Sequence, residues 1–451
     1  MNNPAGGDLR RRIARSWDMY QRAREIIAGG TQLLSRNPEM YAYGAAPIYA
    51  ERADGGRIWD IDGNEYVDMM AGIGAYQLGY AYPAVEDAVR ARVGSGPTYS
   101  VNHPVEVELA EELVSAVPCA EMVRYAKGGG DATAVAVRIA RGFTGRDKVL
   151  FCGYHGWHDW YIAANLASPE TLSAHLLPGV PSAGVPKVLA GTAIPFEYNN
   201  LDDLRGKLEA HRGEIACVIM EPCNSRLPNP GFLEGVRELT LKHGVVLLFD
   251  EVNTGFRLAP GGAQEFFGVK PDMAAFAKAL GNGYPAAAVC GKREIMSCVE
   301  RMFVSSTFWH DTVSLAAALA VVRELKSKPV CDRIREVGED FSRRMNEICA
   351  GCGLPARVIG PPAMSALALD VADAMLSRKL LTLGIQEMVR RGVFWTGAHK
   401  ILFTHTQRDL DHVLSAAEEV FAIMSRALRE GTVDDLLEVP PKRSPFERRL
   451  V

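Results

Sequence analysis

Five apolar residues in an unbroken row, Val245-Val246-Leu247-Leu248-Phe249, run straight into two carboxylates, Asp250 and Glu251. A strand with one wet face alternates apolar and polar residues. A run with no polar position is covered on both faces, as strands are in a parallel sheet layered with helices. Residues 215–220 and 273–277 read the same way. Helical patterns at 83–92, 105–117 and 132–143 alternate with strand patterns at 123–126 and 148–152. That order, from about residue 82 to about 300, predicts an α/β domain with a mostly parallel central sheet. In such sheets ligands sit beyond the carboxyl ends of the strands, so Asp250 is placed to meet one. A carboxylate there needs a partner, because burying a lone charge is costly.

The flanks read differently. Residues 9–28 have helical spacing and stop at Gly29-Gly30, and 46–69 hold short strand patterns around a turn at Asp62-Gly63-Asn64. From about 313 a long Ala/Leu/Arg helix leads into mixed elements. These limits predict an N-terminal helix-and-hairpin segment of a small lobe over 1–75, a large domain over 76–312, and a C-terminal small domain over 313–451. The residues from Pro440 on read as a loosely held tail.

Charge and composition narrow the function classes. A formal net charge of −4 with a pI of about 6.2 gives no electrostatic footprint for nucleic acid. No apolar run approaches the ~20 residues of a membrane span. Arg10, Arg11, Arg12 and Arg15 are followed by no apolar stretch, so no secretory signal is expected. The nine cysteines are scattered, and Cys349 and Cys352 form a lone C-x-x-C with no second pair to complete a zinc site. Unpaired thiols in a reducing cytoplasm, and no metal, are expected.

Two chemistries suit a buried acid at Asp250. A nucleotide hydrolase needs a loop G-x-x-x-x-G-K-[ST]. None is present, since Gly206-Lys207 and Gly291-Lys292 are followed by Leu208 and Arg293. The other chemistry pairs the acid with a protonated pyridine nitrogen. It needs a lysine on a following strand or turn, and a phosphate cradle earlier. Lys278 stands after Ala275-Phe276-Ala277 and before Gly281-Asn282-Gly283, with apolar neighbours that favour the neutral, nucleophilic amine. Lys127-Gly128-Gly129-Gly130-Asp131 lies between a strand and a helix, where backbone N–H groups and the helix dipole hold anions. Either element alone is ordinary: most strand-end lysines are surface residues and most glycine triplets are turns. Cys152 to His158 adds aromatic rings able to stack on a flat heterocycle, to pack in the core, or, through His155 and His158, to hold a metal, although no third ligand is near.

Together, Phe249 to Arg257 (FDEVNTGFR), Lys278 and Arg138 to Lys148 (RIARGFTGRDK) resemble the class III aminotransferases of fold type I. The branch that includes glutamate-1-semialdehyde 2,1-aminomutase is the most similar, over about residues 25–425. The resemblance implies a pyridoxal 5'-phosphate cofactor, with pyridoxamine 5'-phosphate in the half-reaction, in a large domain joined to a smaller α+β lobe from both termini. It implies that Lys278 carries the cofactor as a Schiff base and shuttles the α proton, and that Asp250 keeps the pyridine nitrogen protonated, making the ring an electron sink. Tyr154 and Val252 then cover the two ring faces, Gly129 and Gly130 bind the phosphate, and Glu221 lies near the hydroxyl side. Thr307 matches a phosphate-binding threonine from a neighbouring subunit, which implies a homodimer with shared active sites.

The chain departs from that pattern. Gly128-Gly129-Gly130-Asp131-Ala132 stands where the family usually has Ser-Gly-Thr-Glu-Ala, so two hydroxyls are missing from the cradle. Trp309-His310-Asp311-Thr312 replaces the Gly-Asn-Pro that usually follows the threonine, and the segment around 396–403 is shorter. These changes surround the substrate, so a different substrate is expected. The expected reaction is ping-pong transamination between an amino donor and a carbonyl acceptor. The acceptor pocket is expected to draw on Arg36, Tyr76, Tyr99, Ser100, His103, Asn224 and Trp309. Arg36 reads equally as a carboxylate ligand or as a surface arginine. Gly281 to Pro285 and Ser306 to Trp309 also look like aminomutase-like enzymes of surface-polysaccharide and natural-product pathways, suggesting a polar, specialised carbonyl substrate. An aminomutase or racemase is the alternative, and a cofactor-free binding protein a third.

Overall fold

The structure is a computed structural model that describes residues 6–443. The chain folds into two compact units, one from the N-terminus to Tyr82 together with Arg333 onward, the other Pro83–Asp332.

The second unit is built on a seven-stranded sheet. Across it lie Met122–Ala126, Ala287–Gly291, Met273–Phe276, Val246–Asp250, Ile215–Met220, Lys148–Cys152 and Ala193–Pro195. The last five pair in parallel, whereas Ala287–Gly291 runs antiparallel to both neighbours. Every residue of Ile215–Met220, Val246–Asp250, Met273–Phe276 and Ala287–Gly291 is buried, which is what their continuous apolar sequence demands. Helix Gly129–Thr144 lays Ala132, Val135, Ala136, Ile139 and Ala140 against Phe151, Ile219, Leu248 and Ala275. Its alanines allow close approach. Each fully buried Val, Leu, Ile or Phe on this face contributes roughly 1.5–3 kcal/mol.

Two short strands escape the sequence pattern. Ala193–Pro195 is only three residues long, and Ala287–Gly291 is alanine-rich. Helix Thr312–Ser327 packs on Pro83–Val93 and Pro104–Ala116 and belongs to the second unit, so the structural limits fall after Tyr82 and Asp332 rather than after residues 75 and 312.

In the first unit, Ala50–Asp54, Arg57–Asp60 and Glu65–Asp68 form an antiparallel meander that Val393–Phe394 joins in parallel. The turn at 62–64 is tied by Asp60 Oδ1, which accepts from Asp62 N at 3.0 Å and Asn64 N at 2.8 Å, with Gly63 at φ +89°. Ala356–Ile359, Met364–Leu369 and Ala398–Lys400 make a second sheet, with helices Ala374–Arg390 and Gln407–Glu430. The expected loose tail is anchored where it is described. Lys442 N donates to Thr382 Oγ1 at 2.9 Å, and Arg443 pairs with Glu39 at 2.8 Å. The rest of that expectation, residues 444–451, lies outside the described residues.

All nine cysteines are free. Among the described residues no group of three or more His, Cys, Asp or Glu is arranged to hold a metal, and no helix is long and apolar enough to cross a membrane.

Candidate functional site

Strands Val246–Asp250 and Met273–Phe276 run parallel with Asp250 opposite Ala275, and Glu251 N donates to Ala275 O at 2.9 Å. The chain then turns at Lys278, whose φ is +46°. For a residue with a Cβ that left-handed conformation costs about 1–2 kcal/mol, and it persists only where the surroundings dictate it. The turn brings the lysine to the same end of the sheet as Asp250. Lys278 Nζ donates to Asn253 Oδ1 at 3.2 Å. Burial holds the Lys278 ammonium below its ordinary value, against the opposing pull of Glu221 and Asp250. Lowering the pKa of the ammonium makes the neutral, nucleophilic amine more available.

Asp250 is 4% exposed and has two donors. Val252 N donates to Oδ1 at 3.0 Å, and His155 Nδ1 lies 2.8 Å from Oδ2. An ionised carboxylate only accepts, so His155 Nδ1 is the donor to Asp250 in that form of the pair. His155 is itself buried, stacks with Trp160 at 6.3 Å, and is held through its carbonyl by Thr133 Oγ1 at 2.7 Å. The sequence gives no sign of its role as Asp250's partner, since an isolated histidine means core packing more often than anything else.

Glu221 follows strand Ile215–Met220 and accepts from Tyr154 N at 3.3 Å. Burial raises its carboxyl pKa, and the charge on Asp250 raises it further. A Cβ on Gly153 would sit 2.6 Å from Glu221 Oε2, and Gly153 has φ +112°, so glycine is required there twice over. Tyr154 is 44% exposed, leaving its ring free to cover a ligand. Lys278, Asp250, Glu221, His155 and Tyr154 are thus one electrostatic cluster at the strand ends.

The glycine run opens helix Gly129–Thr144, and the N–H groups of its first turn have no acceptor within the helix. Gly128 N is taken by Asp131 Oδ2 at 3.0 Å. A Cβ on Gly129 would meet Val252 Cγ1 at 2.7 Å, so Val252 packs directly on the cradle.

The remaining candidates scatter. Thr307 and Ser100 are exposed, and Trp309 packs against the sheet's core. Asn224 Oδ1 accepts from Arg226 N at 2.9 Å. Tyr99 stacks on His103 at 5.6 Å, and His103 is occupied as a helix cap, its Nδ1 accepting from Val105 N at 3.1 Å. Glu251 faces away from Asp250. Its oxygens accept from Thr254 Oγ1, Ala263 N and Gln264 N at 2.6, 2.7 and 3.0 Å, which anchors the following loop.

Arg36 and Tyr76 lie in the first unit and line one cavity there, of about 530 Å³. Tyr20, Tyr41, Tyr49 and Tyr80 share its wall. Its acids are satisfied: Asp68 accepts from Met70 N and Tyr80 Oη, and Asp60 from Asn64 and Tyr66. Arg36 is exposed, and its guanidinium bonds to no other described residue.

The family description "Aminotransferase class-III" matches residues 40–407. Among characterised proteins, the chain is 33% identical over 427 residues to 3-aminobutyryl-CoA aminotransferase of Cloacimonas acidaminovorans, covering 92% of this chain and 99% of that one. It is 37% identical over 423 residues to glutamate-1-semialdehyde 2,1-aminomutase of Syntrophobacter fumaroxidans, covering 89% and 96%. Of solved structures, the PLP internal aldimine form of the FumI protein of Sphingopyxis sp. MTA144 superposes with a TM-score of 0.84 at 26% identity, covering 95% of this chain and 99% of that one. An omega-transaminase from Sphaerobacter thermophilus gives 0.81 at 26%, with 92% and 99% covered.

Proposed function

The chain belongs to the class-III aminotransferases, and from that premise we propose that it moves an amino group from a donor to a carbonyl acceptor in two half-reactions on pyridoxal phosphate. The observation that carries this reading is the amine of Lys278 and the carboxylate of Asp250 leaving the ends of adjacent parallel strands within one charge cluster.

The residues suit the cofactor. Gly129 gives a cradle that a Cβ would fill, Asp250 is a buried acceptor already oriented by His155, and Lys278 is an amine favoured in its neutral form. Bound pyridoxal phosphate supplies an aldehyde for the amine and a ring that draws electrons from the substrate carbon. Lys278 would hold the cofactor through Nζ, and the same amine would take and return the proton at the substrate carbon. Asp250 accepts the pyridine N–H, and a carboxylate with two donors of its own is a fixed acceptor that cannot turn away. Gly129 and Gly130 N–H groups bind phosphate oxygens. Tyr154 and Val252 cover the ring faces and exclude water from them. Glu221 lies by the cofactor hydroxyl. Thr307, exposed and without a bond to any other described residue, reaches the cofactor of a partner subunit in a homodimer. Arg36 and Tyr76, in the first unit, are the candidates for the substrate's anionic end, and Tyr99, Asn224 and Trp309, in the second, are further candidate substrate ligands. A specialised biosynthetic pathway is the setting that the 281–285 and 306–309 motifs support.

A second reading, an aminomutase that moves nitrogen within one substrate, is favoured by the 37% identity to such an enzyme. One experiment separates them. The yellow holoprotein is mixed with single amino donors, and the visible band and the products are followed. A transaminase bleaches and releases one keto product per site until an acceptor is added. A mutase returns an isomer with no second substrate. If the protein takes up no pyridoxal phosphate, and borohydride fixes nothing to Lys278, both readings fall.

A further inference from the structure

The glycine run Gly128-Gly129-Gly130 carries no side-chain donor, and the space beside Gly130 is taken. A Cβ built on Gly130 would lie 3.2 Å from His158 Nδ1 and 3.3 Å from His158 Cε1. His158 therefore covers the second residue of helix Gly129–Thr144, where a side chain at position 130 would otherwise project. Three observations show that it is held there. Gly156, at φ +104°, lets the 153–158 loop touch the helix, since a Cβ on it would meet Gly130 Cα at 2.7 Å. Thr133 Oγ1 bridges the carbonyls of Gly130 and His155 at 3.0 and 2.7 Å, joining helix to loop. On its other side His158 stacks with Trp157 at 4.6 Å.

The two ring nitrogens differ. Nε2 faces Asp131 Oδ1 at 3.5 Å, whereas Nδ1 is buried and has no partner among the described residues. A buried polar atom without a partner costs about 1–3 kcal/mol, and this one lies beside Gly130, in the first helical turn whose free N–H groups attract anions.

We propose that His158 supplies the side-chain contact to the cofactor phosphate that the glycine-only cradle lacks, donating from Nδ1 while Asp131 orients it through Nε2. The proposal rests on the pyridoxal-phosphate reading above. His158 is a binding residue in this account, with no part in proton transfer at the substrate carbon.

The test titrates full-length apoprotein with pyridoxal phosphate and, separately, with pyridoxal, which has the same ring and aldehyde but no phosphate. His158→Ala should weaken pyridoxal phosphate by about ten- to a hundredfold, the range for a hydrogen bond to a charged group, and leave pyridoxal binding unchanged. Gly130→Thr in the His158→Ala background restores a hydroxyl in the vacated space and should recover part of the lost affinity. Gly130→Thr alone should weaken binding, since the threonine and His158 compete for one place. Equal losses for both ligands, or no loss for either, overturn the proposal while the transaminase reading stands. A wild-type apoprotein that binds neither ligand overturns both.

Discussion

His155 Nδ1 and Asp250 Oδ2 are 2.8 Å apart, and the two residues are 1% and 4% exposed. A carboxylate sealed this well cannot exchange its partner for water. Removing the imidazole leaves Asp250 with one backbone donor and a cavity on its other side. His155→Ala is therefore expected to slow the half-reaction with an amino donor by roughly 10- to 100-fold, the kinetic equivalent of ~1–3 kcal/mol. Single-turnover bleaching of the visible band, with circular dichroism as a check on folding, measures it. An unchanged rate removes His155 from the account.

Lys278 predicts a pH dependence with a definite sign. Its folded ammonium lies below the ordinary 10.5 because burial disfavours the charge. If Lys278 is the residue that holds the cofactor, it does so as the neutral amine, so uptake by apoprotein should rise with pH and level off below 10.5. Between the depressed value and 10.5 the unfolded chain binds more protons than the folded one, so this lysine makes stability rise with pH in that window. Lys278→Ala should abolish both the borohydride-fixed label and transamination. Uptake that keeps climbing to 10.5 would mean an ordinary, solvated lysine.

Gly129 and Val252 are coupled by contact, because a Cβ on Gly129 would be 2.7 Å from Val252 Cγ1. Gly129→Ala should cost ~1–3 kcal/mol by overpacking and weaken cofactor binding. Val252→Ala clears the space, so the double variant should be more stable than Gly129→Ala alone. Thermal midpoints of the four proteins form the cycle, and simple additivity would show that the two residues do not touch.

Glu251 behaves oppositely to Lys278. It is fully buried, and burial raises its carboxyl above the ordinary 4.5. Above 4.5 the folded chain holds a proton that the unfolded chain has released. The contribution of Glu251 to stability is complete below 4.5 and is lost as pH rises through its folded pKa. Glu251→Gln cannot titrate, so wild type should lose stability relative to the variant as pH rises across that window. Denaturant midpoints at several pH values test this. A constant difference between the two proteins contradicts it.

Asp250 and Lys278 are singled out in the sequence because they stand at or just past the ends of strands whose continuous apolar runs imply burial on both faces, and so emerge at the sheet's carboxyl edge; Glu221 and Tyr154 are reached only through the family resemblance. His155 and His158 are visible in the sequence but not interpretable from it. Their partners are 95 and 27 residues away in the chain, and only the loop's seat on the helix reveals them. His103, expected in the acceptor pocket, also caps the following helix, a local role that the following proline and Glu106 signal. Strand Ala287–Gly291 has no strand signature because alanine and glycine carry little strand propensity, and pairing with neighbours on both sides decides it.

Arg36 gives the sharpest test of substrate chemistry. The cavity of about 530 Å³ that it lines is walled mostly by apolar residues with five tyrosines among them, and both acids there already have donors. That leaves one cation with no carboxylate partner among the described residues. Such a wall favours a ligand with an apolar body, and such a cation favours one with an anionic end. Arg36→Gln keeps the length and the hydrogen-bonding but removes the charge and the fork. For a carboxylate-bearing substrate, KM should rise by about 10- to 100-fold, the cost of losing a charged hydrogen bond, with kcat changed far less. For the matching amine without a carboxylate, KM should not move. Equal changes for both substrates would make Arg36 a surface arginine, and the anionic end of the substrate would have to be met elsewhere.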